Sequence, residues 1–187
     1  MASPDSLRNQ FLIAMPALDD PNFSRTVTLI CEHNDEGAMG IIINRALEIT
    51  LSEVLVQLDV AGYHQGLHQH PVHMGGPVQE SNGFVIHEPL GEWEADLEID
   101  TTLGVSASRD ILAAIAEGRG PDRWLLALGY AGWGPGQLEQ EITQNAWLNG
   151  PADRDILFSL PLEQRWAAAA AHLGVDLTQL SGEAGHS

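Results

Sequence analysis

The sequence predicts an α+β fold on three observations: strand-like and helix-like stretches are interspersed along its 187 residues, hairpin signals come early, and no internal repeat is visible. Residues 11–15, FLIAM, read as a first strand that stops at Pro16 and the turn-rich LDDPN, with Asp20-Pro21-Asn22 turning and Phe23 as its anchor. Residues 26–33, TVTLICEH, alternate as a second strand, with Val27, Leu29, Cys31 and His33 on one face and Thr26, Thr28, Ile30 and Glu32 on the other. Both faces are mixed, which predicts cover on both sides. Asn34-Asp35-Glu36-Gly37 supplies a hairpin turn into residues 38–45, AMGIIINR, a third strand antiparallel to the second.

Thr50-Leu51-Ser52-Glu53 is a capping box, which predicts a short helix to about Asp59 burying Leu51, Val54, Leu55 and Leu58. Residues 61–71, AGYHQGLHQHP, have no periodicity and read as a surface loop. VHMGGPV enters a glycine-proline turn, and FVIHE, residues 84–88, is a strand preceded by a Ser81-Asn82-Gly83 turn. Charges dominate from Pro89 to Thr102, with Trp93 and Leu97 as points of attachment. Ser106 or Ser108 caps the next helix, which carries Ile111, Leu112 and Ile115 to a stop at Gly118 or Gly120. Residues 123–130, RWLLALGY, fit an interior strand. A glycine elbow follows, Gly132, Gly134 and Gly136 being free to take positive φ and Pro135 suiting entry to a helix over 137–144. DILF, residues 155–158, reads as a short strand. Pro161 begins a last helix with Leu162, Trp166, Ala169, Ala170 and Leu173, closed by Gly174, and the final dozen residues read as a strap over the surface.

Composition excludes more than it assigns. The eight basic residues are all arginine, and 26 acidic residues bring the net charge to −18. A surface without a basic cluster has nothing with which to neutralise phosphates, so direct binding of nucleic acid is disfavoured. Apolar runs are broken within ten residues, too short for a membrane span, and residues 1–16 show neither a basic segment leading into a long apolar region nor a small-residue cleavage site. The expectation is a cytoplasmic protein of one domain, residues 1–187. Cys31 is the only cysteine, which excludes an intramolecular disulfide.

Three clusters invite a chemical reading. Cys31 and His33 on one strand face could make an activated thiol, against the commoner reading of a structural cysteine. His64, His68, His70 and His73 lie within ten residues, but the glycine and proline among them oppose the fixed geometry a metal needs. The glycine elbow entering a helix matches neither GxGxxG nor GxxxxGK[ST], and Glu139 and Glu141 would repel a phosphate there. No catalytic residue, cofactor site or metal site is therefore assigned.

GYAGWGPGQLEQEI at 129–142, followed by Asn145-Ala146-Trp147, resembles the signature of the bacterial AlgH/YqgE family. The resemblance extends to Met15 through Phe23, Arg25-Thr26-Val27, Glu32-His33-Asn34, Gly37 through Arg45, Gly75-Gly76-Pro77-Val78, and the tail from Leu180 to His186. It implies a largely antiparallel sheet partly rolled into a barrel with helices around it. The family name implies a role in regulating alginate production, a transcriptional-regulator reading, with no reaction attached. Signature blocks from distant segments often meet in space, which singles out one polar row: Gln137 and Glu141 share a helix face, Asn145 continues it, and Trp133 stands at its entrance. Lining a cleft with Arg25, His33 and Asn44, these residues form the candidate binding site. In the blander alternative Gln137 and Asn145 satisfy backbone groups at the elbow and Glu141 pairs with an arginine. The expected function is a noncatalytic regulatory or adaptor protein that binds an unidentified protein or small molecule. The alternative is an enzyme of unassigned class using the polar row and His33.

Overall fold

The computed structural model describes residues 6–60, 70–93 and 95–177. The chain divides into two units, one made of the segments up to Arg45 and from Ala131 onward, the other of Ala46–Tyr130.

In the first unit β1 (Gln10–Ala14) pairs antiparallel with β2 (Val27–Asn34), and β2 with β3 (Gly37–Ile42) through the expected hairpin. The last three residues of β8 (Arg123–Trp133) pair with β3, and β9 (Trp147–Pro151) lies along the other edge of β1. Three helices complete the unit: α3 (Gln137–Thr143), α4 (Arg154–Phe158) and α5 (Leu162–His172). Ala169 and Ala170 of α5 are buried, small enough for a close approach. Arg165 is buried with them at 4% exposure, its guanidinium donating to the carbonyls of Leu160 and Ile43. Trp166 donates its indole N–H to Ala14 O at 2.9 Å.

Three expectations are corrected here. DILF is not a strand: the Asp153 carboxylate accepts from the N–H of Ile156 and starts α4, which turns Ile156 and Leu157 inward. β9 goes undetected in the sequence because Gly150 and Pro151 interrupt its pattern, yet it makes a full five-residue ladder with β1. The third strand ends at Ile42, so Asn44 and Arg45 lie beyond the ladder.

In the second unit β4 (Val72–Met74), β5 (Val78–Glu88), β6 (Leu97–Glu98) and β7 (Gly104–Ser106) join the first eight residues of β8. The strand order is β6-β7-β5-β8-β4, antiparallel except that β4 runs parallel to β8. The capping box of α1 (Leu51–Gln57) is made in both directions, Glu53 N to Thr50 Oγ1 at 3.2 Å and Thr50 N to Glu53 Oε2 at 3.0 Å. Leu51, Val54 and Leu55 pack with Ile111, Leu112 and Ile115 of α2 (Arg109–Ala116) and with Val72, Val85 and Leu126 of the sheet. Gly129, with φ +78, admits no side chain, since a Cβ would lie 2.4 Å from Gly76 O.

The expected turn at Ser81-Asn82-Gly83 lies inside β5, as a bulge: between the pairs Val78–Tyr130 and Gly83–Leu128, the four residues from Gln79 to Asn82 oppose only Gly129. Ser106 sits in β7, which leaves Ser108 at the N-cap of α2 with its hydroxyl on the Asp110 carboxylate. The α+β class and the largely antiparallel pairing stand, and among the described residues the strand pairing does not close on itself.

Candidate functional site

The elbow between β8 and α3 shapes the candidate site. Trp133 is the last residue of β8, and Gly136, with φ +75, is the N-cap of α3. A glycine cap has no side chain to accept an N–H, and Gln137 reaches back instead, its Oε1 accepting from Gly134 N at 2.9 Å. Of the three glycines expected to take positive φ, only Gly136 does. Gly132 is strand, and a Cβ on Gly134 would meet nothing nearer than Gln137 Oε1 at 3.9 Å.

One helical turn on, Glu141 is surrounded by donors. Its Oε2 accepts from Gln137 Nε2 at 2.9 Å, and its Oε1 accepts from the indoles of Trp133 at 3.1 Å and Trp147 at 3.0 Å. The two indoles meet edge to face at 6.2 Å, and Phe23 closes the box at 6.1 Å from Trp133 and 5.6 Å from Trp147. Trp133 and Trp147 are 6% and 3% exposed, so the carboxylate is the route by which two buried N–H groups are satisfied. The alternative pairing of Glu141 with an arginine is thus corrected: its partners are neutral donors. Gln137 behaves as that alternative expected. The sequence shows Trp147 only as part of the family signature, because nothing local says that a tryptophan eleven residues past Gly136 returns to the elbow.

The remaining row residues fall into separate contacts. His33 accepts the Leu7 N–H on Nδ1 at 2.9 Å, which leaves the proton on Nε2 to face Glu139 Oε1 at 3.1 Å. Glu139, rather than Glu141, is therefore the histidine's partner. Asn44 bridges the open end of the β2–β3 hairpin, taking Val27 N on Oδ1 and giving Nδ2 to Arg25 O, both at 2.9 Å. Arg25 holds φ +58 and lays its guanidinium 5.4 Å from the Trp166 ring. Asn145 has φ +63 just past α3, a left-handed position that asparagine tolerates.

The thiol reading fails. β2 carries one extra residue between Ile30 and Glu32, which breaks the alternation that put Cys31 and His33 on one face. Cys31 is 1% exposed, and burial pushes its thiol far above the ordinary range, the opposite of an activated thiolate. His64 and His68 lie outside the described residues. His70 stacks on Trp124 at 4.5 Å, and His73 bonds Leu126 O through Nδ1 at 3.1 Å. Among the described residues no group of three or more ligating side chains could hold a metal. His87 is buried with both nitrogens engaged, Nδ1 on Pro89 O at 3.0 Å and Nε2 on Ser106 Oγ at 2.8 Å, and desolvation lowers its pKa. With His87 and Ser106 both at 0% exposure, that pair has no access to a substrate.

The second unit contains a cleft of about 590 Å³. Leu58, Phe84 and Leu112 form apolar lining, and Gln57, Gln79, Asn82, Asp96 and Arg109 supply polar groups. Gln79 has φ +51 within the β5 bulge, and Asn82 donates to its Oε1 at 2.7 Å. Reading residues 81–83 as a turn between elements hid this cleft, since a wide bulge and a turn share the same Ser-Asn-Gly composition.

The sequence pattern of the AlgH-like family matches residues 11–178. The chain is 58% identical to a UPF0301 protein of Nitrosococcus oceani over 180 residues, covering 96% of each. It is 55% identical to a UPF0301 protein of Thioalkalivibrio sulfidiphilus over the whole of both chains. Its structure is similar to the solution structure of the AlgH protein from Pseudomonas aeruginosa, with a TM-score of 0.81 and 49% identity over 97% of this chain and 96% of that one. A Corynebacterium diphtheriae protein, 22% identical over 97% of this chain and 94% of that one, shares the fold with a TM-score of 0.73.

Proposed function

The chain belongs to the AlgH-like family, and from that footing we propose that it is a noncatalytic regulatory or adaptor protein, acting by binding another protein or a small ligand. One observation carries this reading: the best-placed carboxylate of the polar row, Glu141, already accepts three hydrogen bonds from Trp133, Trp147 and Gln137. A general base or nucleophile needs a lone pair facing its substrate. Here three of the carboxylate's roughly four acceptor positions are taken by the protein's own donors. Gln137 and Asn44 are likewise engaged in holding the elbow and the hairpin end, and Asn145 serves the helix exit by its left-handed backbone. A regulatory role, which the family name implies, calls for recognition rather than chemistry.

The enzymatic alternative rests on His33 and Glu139, whose carboxylate side chain is 53% exposed beside a histidine side chain at 6%. In cells lacking the gene, chains with His33→Gln or Glu139→Gln should restore growth and gene expression in proportion to the amount of folded protein. Loss of function in both, with unchanged melting temperature, would favour the enzyme. Direct nucleic-acid binding is disfavoured by the net charge of −18, and the chain should not retard duplex DNA at physiological salt. Among the described residues no helix is long and apolar enough to cross a membrane.

A further inference from the structure

The cleft in the second unit has the composition of a site for a peptide. We propose that it docks an extended, neutral to basic segment of a partner protein, an assignment that rests on the binding reading above. Three of its polar side chains, Gln57, Gln79 and Asn82, are carboxamides. A carboxamide presents a donor and an acceptor side by side, the same pair that an extended backbone presents at each residue. The Asn82–Gln79 hydrogen bond at 2.7 Å uses one donor and one acceptor of the pair and fixes both amides at the rim. Leu58, Phe84 and Leu112 give an apolar seat for one partner side chain, and the volume of about 590 Å³ falls in the range of formed ligand sites.

Charge selects among occupants. Residues 46–130 hold 13 acidic residues against three arginines, a formal −10. Asp96 lines the cleft, its Oδ2 accepting from Ala107 N at 2.6 Å. Arg109, the one cation among the described lining residues, stands 3.8 Å from Asp59. Such surroundings repel an acidic segment or a phosphate and attract lysine and arginine. The β5 bulge contributes a further mark of a built feature. Gln79 holds φ +51, a conformation glycine would adopt without strain, yet the position carries a glutamine whose amide lines the cleft.

The test uses the full chain, tagged and applied to an array of immobilised random hexapeptides. Selected peptides should be neutral to basic with one large aliphatic or aromatic residue. The strongest, labelled and followed by fluorescence anisotropy, should bind Asn82→Ala and Gln79→Gly about tenfold more weakly than the parent, while both variants melt no lower than it. Gln79→Gly is informative because it removes the amide and suits the backbone. Enrichment of acidic peptides would overturn the proposal. So would equal binding by both variants, which places the peptide elsewhere and leaves the binding reading intact. If adenosine or guanosine perturbs the backbone amide resonances of Asn82 and Gly83 while no array peptide does, the cleft takes a small heterocycle instead. Failure of the binding reading itself has a separate signature, the loss of cellular function in the His33 and Glu139 variants.

Discussion

The Glu141 cluster and the β5 cleft are both rich in amides and carboxylates, but they use them in opposite ways. Around Glu141 each named polar group faces another group of the protein, over an aromatic box of Phe23, Trp133 and Trp147. Around the cleft Gln57, Gln79 and Asn82 are exposed, and one hydrogen bond ties two of them together. The family signature thus spends its polar groups on the fold, while a segment outside it leaves three amides exposed. Residue type alone does not separate the two cases. What separates them is whether the partners are intramolecular.

The sharpest way to break this contrast is at Glu141. Replacing it with alanine strands two buried indole N–H groups and should cost about 3 kcal/mol in chemical unfolding, while glutamine keeps an acceptor and should cost about 1 kcal/mol. If Glu141→Ala unfolds like the parent, the cluster is not scaffold and the polar row becomes a site again. The next effect concerns pH. Burial lowers the pKa of His87, so the unfolded chain gains its proton first as pH falls below the ordinary value of 6.5. Stability is fully present well above that value and is lost as pH falls through it toward the lowered folded value; in His87→Gln, compared by urea unfolding at about pH 7.5 and about pH 5.5, the fall should shrink.

A smaller effect distinguishes the glycines of the elbow. Gly136→Ala should cost about 1 kcal/mol for its left-handed φ, and Gly134→Ala close to nothing, read from the shift in thermal midpoint. Gln79→Gly should do the reverse in the cleft, raising stability by about 0.5 to 1 kcal/mol through relief of φ +51. Last, Asn82→Ala should change stability by less than about 0.5 kcal/mol, as expected of an exposed group whose only bond is to another exposed amide.

How far the sequence could be read follows from the range of the forces involved. The hairpin of β2 and β3, the capping box of α1 and the helical face of α3 are set by neighbours a few residues apart, and these were legible. So was the resemblance to the family, and with it the fold class. β9 and β4 exist because a distant strand offers them a ladder, and three to five residues containing histidine, glycine or proline carry no signal of that. DILF illustrates a conflict of scales, since a single capping aspartate outweighed four residues of strand-like composition. In the candidate site the i to i+4 reach from Gln137 to Glu141 was readable. The return of Trp147, the engagement of His33 with Glu139 and the widening of β5 were not, because each depends on strand register fixed elsewhere.

One feature of the chain path bears on how the protein is made. The unit formed by residues 46–130 is contiguous, and the other is interrupted by it. On a ribosome, β1, β2 and β3 emerge well before β9, the strand that covers the open edge of β1. Until Trp147–Pro151 is synthesised, that edge offers unpaired backbone groups to any extended segment nearby. The contiguous unit has all its strands in hand by residue 130 and meets no such delay. Nascent chains halted before β9 are thus the species on which a chaperone would act, and a late truncation harms the beginning of the protein more than its middle.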